Sequence, residues 1–125
     1  VAVPVGLAIG GSGDPDRRAD LLALSEFGGT GEAELDGRDL NVRFDGEAAP
    51  EGSFYELWLL DFDDAEELVG LESLGQIEVS ADGSYQIPDG IDLDEFDVVD
   101  VSVELDDGNP EHSGVSILRG DLTEA

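Results

Sequence analysis

The feature that most constrains the fold of this chain is an alternation of apolar and polar residues with a period of two. Residues 98–105 show it most clearly, with valine or leucine at the odd positions 99–105. Because neighbouring side chains of a strand point to opposite faces, this pattern predicts one buried face and one solvated face, the solvated one carrying Asp100, Ser102 and Glu104. The same pattern recurs in residues 39–45, 76–80 and 84–87.

Asp-Gly pairs lie between these segments and suit the positive φ angles of tight turns. The pairs are Asp36-Gly37, Asp45-Gly46, Asp82-Gly83, Asp89-Gly90 and Asp107-Gly108. Short alternating strands with such turns predict an all-β fold, an antiparallel β-sandwich of about seven to eight strands, Ig-like or jelly-roll-like. We assign residues 14–125 to this domain and residues 1–13 to an apolar amino-terminal segment with a glycine hinge.

Three segments depart from simple alternation. Residues 53–62 are apolar on both faces, which predicts a central strand covered on both sides, with Trp58 in the core. Residues 17–27 have helical propensity, but we predict a strand from their place in the family resemblance given below. Asp64–Leu71 is predicted to form a helical turn or a loop.

The charge of the chain is strongly negative. Its 32 Asp and Glu residues face 5 arginines and no lysine, giving a net charge of −27. This acidity argues against nucleic acid and anionic membranes as partners, since phosphate binding depends on Lys and Arg. It indicates a halophilic protein whose surface is adapted to high salt, where screening weakens self-repulsion, or alternatively a cation-binding surface. The chain has no cysteine, so neither disulfides nor thiol chemistry is available to it.

The first ten residues, VAVPVGLAIG, are apolar and uncharged. They are too short to span a bilayer as a helix, which needs about 20 residues. They could be the outer end of a membrane helix, an edge strand of the same domain, or a strand donated to a neighbouring molecule. In an extended strand, one face would carry the larger side chains, those of Val1, Val3, Val5, Leu7 and Ile9.

The candidate chemical sites are weak. An acidic run after the central strand offers oxygen ligands for calcium but lacks the spacing of a calcium loop; its residues are Asp61, Asp63, Asp64, Glu66 and Glu67. A second acidic cluster consists of Asp92, Asp94, Asp97 and Asp100. The single histidine, His112, is expected in a hairpin loop, without a productive nucleophile–base geometry toward Ser113. We therefore expect no catalytic residue, no metal site and no cofactor.

Two phrases of the sequence resemble one protein family. The first is the strand-like Phe54–Leu60, FYELWLL, and the second is Val101–Gly120, VSVELDDGNPEHSGVSILRG. Together they are similar to the extracytoplasmic domain of RskA-like anti-sigma factors, the anti-sigma-K family. That family has a Y-E-L-W-type strand, a loop with Leu-Gly, and a hairpin of the form V-S-x-E-x-x-x-G…(S/T)-G-x-(V/I)-L-x-G. The resemblance extends over roughly residues 20–122.

The resemblance implies a non-catalytic regulatory or sensor domain outside the cell. In this family the domain is anchored by one upstream transmembrane helix, and a separate cytoplasmic domain binds the sigma factor. It therefore implies membrane attachment only through an upstream helix, and no sigma-factor contact from these residues. The alternative is a secreted or cell-surface structural subunit that assembles by strand exchange through its amino-terminal segment. The expected partner is accordingly another protein or a second copy of the chain.

Overall fold

The computed structural model describes residues 15–24, 29–108 and 113–124. These residues form β-strands and connecting loops, with no helix among them. The first four strands are β1 (Arg17–Ala23), β2 (Thr30–Asp36), β3 (Asp39–Asp45) and β4 (Ser53–Phe62). They are followed by β5 (Leu68–Ile77), β6 (Gly83–Gln86), β7 (Val98–Leu105), β8 (Ser116–Asp121) and β9 (Thr123–Glu124).

The strands join into one antiparallel sheet in the order β5-β4-β7-β8-β1-β2-β3-β6, with β9 paired to β1. The all-β, antiparallel prediction is therefore confirmed. The division into two sheets, which a sandwich requires, is not confirmed, because hydrogen bonds connect all described strands into one sheet.

The sheet curls until its two ends meet. The Tyr85 hydroxyl on β6 donates a hydrogen bond of 2.9 Å to the Gln76 carbonyl oxygen on β5, although these are the first and last strands of the order. The rings of Phe44 on β3 and Tyr55 on β4 also meet edge to face, with centroids 5.3 Å apart. The result is a nearly closed, barrel-like sheet around one main core.

The main core is apolar and lies on the concave side of the sheet. It receives side chains from most of the strands, including Leu21, Leu35, Phe44, Leu57 and Val101, each at most 2% exposed. Such burial contributes about 25 cal/mol per Å² of apolar surface and is the main stabilising contribution for a chain without disulfides. Within the described residues, no helix has the length and hydropathy needed to cross a bilayer.

The strand predictions are confirmed in most segments. Residues 17–23 form a strand, as predicted for residues 17–27, of which residues 25–27 lie outside the described part. The strand Ser53–Phe62 is central, between β5 and β7, and Trp58 is 2% exposed, as predicted.

The prediction for Asp64–Leu71 is wrong in part, because β5 already begins at Leu68. Residues 64–67 do form a loop, as one of the two predicted alternatives, and it is a tight turn that begins at Asp63. The Asp63 carboxylate accepts hydrogen bonds from the backbone N–H groups of Ala65 and Glu67, both 2.9 Å long. This local hydrogen bonding reverses the chain so that β5 returns directly along β4. The strand predicted for residues 76–80 is correspondingly the end of β5 at Ile77, followed by a turn.

The Asp-Gly pairs do not all serve as left-handed turns. Gly37 and Gly108 have φ angles of 65° and 83°, as predicted. Gly46, Gly83 and Gly90 do not have positive φ, so the prediction is wrong for those three pairs. At Gly83 the requirement is space: a Cβ there would lie 2.7 Å from the Tyr85 ring.

Candidate functional site

The outer face of β7, opposite the main core, is the strongest candidate site. The sequence predicted that Asp100, Ser102 and Glu104 face solvent, and this prediction is wrong. Their exposed fractions are 0%, 0% and 4%. Both faces of β7 are covered, the inner one by the main core and the outer one by side chains of neighbouring strands and by the loop before β8.

Trp58 begins a chain of hydrogen bonds across this face. Its indole N–H donates to the Ser102 hydroxyl oxygen over 2.9 Å, and that hydroxyl donates to the Glu104 carboxylate. The backbone N–H of Ser113 donates to the same carboxylate over 3.1 Å. The carboxylate of Glu104 thereby connects β4, β7 and the loop before β8.

Asp100 and Arg119 form the second part of the network. The Arg119 Nε donates to the Asp100 carboxylate over 3.0 Å, and the Ser116 hydroxyl donates to its other oxygen over 2.9 Å. The Arg119 guanidinium also lies 5.4 Å from the centroid of the Phe62 ring, which favours a cation–π contact. A buried carboxylate is costly unless it is paired, and here the arginine and the hydroxyl supply partners.

We call these two parts together the outer-face network, defined as Trp58, Asp100, Ser102, Glu104, Ser113, Ser116 and Arg119. Among the described residues, no buried side-chain nitrogen or oxygen lacks a hydrogen-bond partner. The network joins the two phrases of the sequence, since Trp58 belongs to the first, Asp100 directly precedes the second, and the other residues belong to the second. Its chemistry is structural: each polar atom named above is engaged by another residue of the protein.

The acidic run after the central strand does not converge on one point. Asp63 is engaged in its own turn, and Glu66 has a left-handed backbone with φ of 63°. No three carboxylate or histidine side chains among the described residues are placed to share a metal ion. The calcium candidates Asp61, Asp63, Asp64, Glu66 and Glu67 therefore receive no support from the geometry.

The second acidic cluster is dispersed as well. Asp92 accepts a hydrogen bond from the backbone of Asp94, and Asp94 forms an ion pair with Arg17 at 2.8 Å. Asp100 belongs to the outer-face network instead. His112 lies outside the described residues, as does the segment Val1–Ile9 that was singled out for assembly.

Asp97, just before β7, has the one perturbed carboxyl group beside the network. Burial raises the pKa of Asp97, and the nearby carboxylates of Asp121 and Asp61 raise it further. A hydrogen bond to its own backbone and the charge of Arg17 act in the opposite direction. Asp97 lines an open depression of about 580 Å³ whose other walls include Phe62, Glu66, Arg119 and Asp121.

The outer-face network is not predictable from period-two alternation, because that pattern indicates that Asp100, Ser102 and Glu104 face solvent. One signal could have indicated it. The first phrase contains Trp58, whose indole N–H can donate a hydrogen bond, and the second contains Ser102 and Glu104, whose oxygens can accept one. Pairing of β4 with β7 places the two phrases side by side.

The fold is an all-β antiparallel domain that carries a buried polar network on its outer face. Comparison with protein families identifies it further. The sequence model of the family described as anti-sigma-K factor rskA, C-terminal, matches residues 13–116. The chain belongs to this family, as its two phrases predicted. A search of curated proteins and a search of solved structures each found no match.

Proposed function

We propose that this domain is the extracytoplasmic regulatory or sensor part of a membrane-anchored anti-sigma factor, and that it acts without catalysis. The observation that carries the proposal is the family match together with the role of its motif residues. The motif residues Trp58, Ser102 and Glu104 hydrogen-bond to one another in a buried network. The motif therefore stabilises the domain, because the Ser102 hydroxyl and the Glu104 carboxylate are both hydrogen-bonded within it.

The charge distribution supports a protein partner over nucleic acid. The net charge is −27, and the described arginines are all engaged by carboxylates, at 2.8 Å for Arg17 and 3.0 Å for Arg119. Phosphate contacts require cationic side chains that are free to bind. A partner recognised through charge would therefore present basic groups.

We further propose that the curled sheet works as a two-layered, sandwich-like body, with β6-β3-β2-β1 facing β5-β4-β7-β8. The contact between Phe44 and Tyr55, which lie on strands far apart in the sheet order, supports this arrangement. In this proposal the rigid body shields a membrane-proximal cleavage site from proteolysis. A signal that loosens the body would expose that site and lead to release of the sigma factor.

The test uses the full-length gene product in the cells that make it. Protease added outside intact cells is expected to degrade this domain while a cytoplasmic tag survives. A sigma factor is expected to co-purify with the full-length protein and not with this domain alone. A domain protected from external protease, or a sigma factor retained by the domain alone, would overturn the proposal.

A destabilised variant tests the regulatory role directly. Trp58→Ala in the full-length protein is expected to raise transcription from promoters of the released sigma factor, because a loosened domain no longer shields the cleavage site. The exposed residue Leu105 provides the matched control, and Leu105→Ala is expected to leave transcription unchanged. Equal transcription in the wild type and in Trp58→Ala would contradict a shielding role.

A further inference from the structure

Strand β5 forms one end of the sheet, and most of its outer edge has no strand beside it. In the sheet order β5 pairs only with β4, and β6 at the opposite end has 4 residues against 10 in β5. The two ends meet where the Tyr85 hydroxyl donates to the Gln76 carbonyl oxygen. Among the described residues no other hydrogen bond joins β5 to β6, so the rest of the β5 edge is open.

The ladder on β4 determines which backbone groups face this open edge. The Gly52 carbonyl oxygen accepts a hydrogen bond from the Asp106 N–H, in register with the pairing of β4 and β7. Successive residues of a strand direct their backbone groups to opposite edges, so even-numbered residues of β4 face β7 and odd-numbered residues face β5. Gln76 agrees with this assignment, because it lies opposite even-numbered Glu56 and its carbonyl oxygen bonds to Tyr85 instead of β4.

Leu71 has backbone groups on the open edge. Its neighbours Gly70 and Glu72 pair with odd-numbered residues of β4, so their own backbone groups face β4. The N–H and C=O groups of Leu71 therefore point away from β4, and its side chain, on the outer face, is 39% exposed. Register shifts on both sides leave residues 70–73 as the regular stretch of this edge.

The open edge lacks the features that usually keep the edge of a sheet from pairing. β5 contains no proline and no lysine, which natural edge strands use against further pairing. Its one charged side chain is that of Glu72, and Leu68 and Val69 are 48% and 59% exposed. An exposed strand with unpaired N–H and C=O groups is a template for another strand.

The charge around the edge indicates the kind of strand that fits. Residues 53–77, which form β4, β5 and their turn, contain seven carboxyl side chains and no arginine or lysine. A second copy of the chain would bring the same carboxylates and a further net charge of −27, and repulsion opposes that pairing. A segment with basic side chains has the complementary charge.

We propose that the open edge of β5 binds an extended segment of a partner protein in which apolar and basic residues alternate. The apolar residues exchange backbone hydrogen bonds with Leu71 and lie beside it on the outer face, and the basic residues lie beside Glu72 on the opposite face. Strand addition of this kind obtains affinity from main-chain hydrogen bonds and specificity from alternate side chains. This surface and mode of binding deepen the protein partnership proposed above and rest on it for the class of partner.

The test measures binding of a synthetic peptide of alternating valine and lysine to the full 125-residue chain by calorimetry. The matched peptide carries methyl groups on its valine nitrogens, so it keeps the charge and loses those donors. The unmethylated peptide is expected to bind about tenfold more tightly, because only it can form the main-chain ladder. Equal affinities would show attraction by charge alone and overturn the proposal.

A variant of the edge tests the same ladder from the side of the domain. Leu71→Pro removes the N–H that faces the open edge, while the hydrogen bonds of its neighbours to β4 can remain. It is expected to weaken binding of the unmethylated peptide about thirtyfold, whereas Leu71→Ala, which keeps the N–H, weakens it about threefold. Equal affinities of the two folded variants overturn the proposal. If circular dichroism shows that Leu71→Pro unfolds, the two peptides on the wild type decide.

Local charge is tested by Glu72→Gln. This variant is expected to bind the unmethylated peptide about threefold more weakly, because a basic side chain loses its neighbouring carboxylate. Asp20→Asn removes the same charge from an exposed site on β1 and is the matched control, with unchanged binding expected. Equal losses in the two variants would assign the attraction to net charge and contradict a site on β5.

Sedimentation of the chain without peptide tests the other occupant of the edge. The wild type is expected to be monomeric at the concentrations used for calorimetry. A dimer that Leu71→Pro dissociates would assign the edge to a second copy and overturn the proposal. Failure of peptide binding leaves the protease and co-purification results described above unaffected, because those depend on where the domain lies in the cell.

Discussion

The two faces of β7 are both buried, but they are buried by different chemistry. The inner face consists of Val99, Val101 and Val103, which pack into the apolar main core. The outer face carries Asp100, Ser102 and Glu104, which are buried only because each has specific hydrogen-bond partners. Apolar packing tolerates many side chains of suitable volume, whereas a buried polar group requires its own partner. The outer face of β7 therefore restricts the choice of side chains more strongly than the inner face does.

The largest expected loss of stability comes from Trp58, which packs with Leu60 and Val98 on the outer face and donates a hydrogen bond to Ser102. Trp58→Ala is expected to reduce the free energy of unfolding by about 3–5 kcal/mol, because both the packing and the hydrogen bond are lost. Urea denaturation followed by circular dichroism measures it. Leu105→Ala, at an exposed site, should change stability by no more than about 0.5 kcal/mol. A loss for Trp58→Ala as small as that would contradict its role as the centre of the outer face.

The next effect concerns the Asp100–Arg119 pair. Arg119→Ala is expected to cost about 3 kcal/mol, because it removes a cationic partner from a carboxylate that is 0% exposed. The matched control is Arg43→Ala, whose pairs with Asp45 and Asp82 are exposed and are expected to contribute about 0–1 kcal/mol.

The salt dependence of this cost distinguishes a buried ion pair from a surface ion pair. Denaturation in dilute buffer and in molar sodium chloride should show a persistent cost for Arg119→Ala, because buried pairs are poorly screened. The wild type itself should become more stable as salt screens the net charge of −27. A cost for Arg119→Ala that vanishes in salt would show that the pair behaves as a surface pair.

Ser102 provides a smaller and more selective effect. Ser102→Ala is expected to cost about 1–3 kcal/mol, since the Trp58 N–H and the Glu104 carboxylate each lose a partner in a buried place. Ser73 is the matched control, because its hydroxyl also donates to a glutamate, Glu56, but at an exposed site. Equal stability losses for Ser102→Ala and Ser73→Ala, measured by urea denaturation, would remove the distinction between the two environments.

The smallest effect separates the carboxyl group of Asp97, just before β7, from an exposed carboxyl group at the start of β3. The raised pKa of Asp97 means that the folded protein binds its proton more tightly than the unfolded chain, whose value is near 3.8. Stability therefore falls as the pH rises from that value through the raised pKa, and remains lower above it. Asp97→Asn is expected to stabilise the protein at pH 7, with the gain shrinking toward pH 4. The control Asp39→Asn, which removes the same charge from an exposed site, should show no such pH-dependent gain.

Much of the fold could be predicted from local patterns. Alternation located β3 and β7, and the apolar run in residues 53–62 identified the central strand, because side-chain direction is fixed by the strand backbone itself. The turn at Asp63–Glu67 could not be predicted in the same way. It depends on one carboxylate accepting two backbone hydrogen bonds, which an acidic run with several equivalent carboxylates does not specify.

The local sequence pattern is sufficient to predict an all-β, antiparallel chain and most of its strands, and the two phrases are sufficient to predict its family. Only the tertiary structure decided that Asp100, Ser102 and Glu104 are buried. Alternation divides the side chains of a strand into two sets, but it does not say whether the polar set meets water or partners. That outcome depends on Trp58 and Arg119, which are distant in sequence and are brought beside β7 by strand pairing.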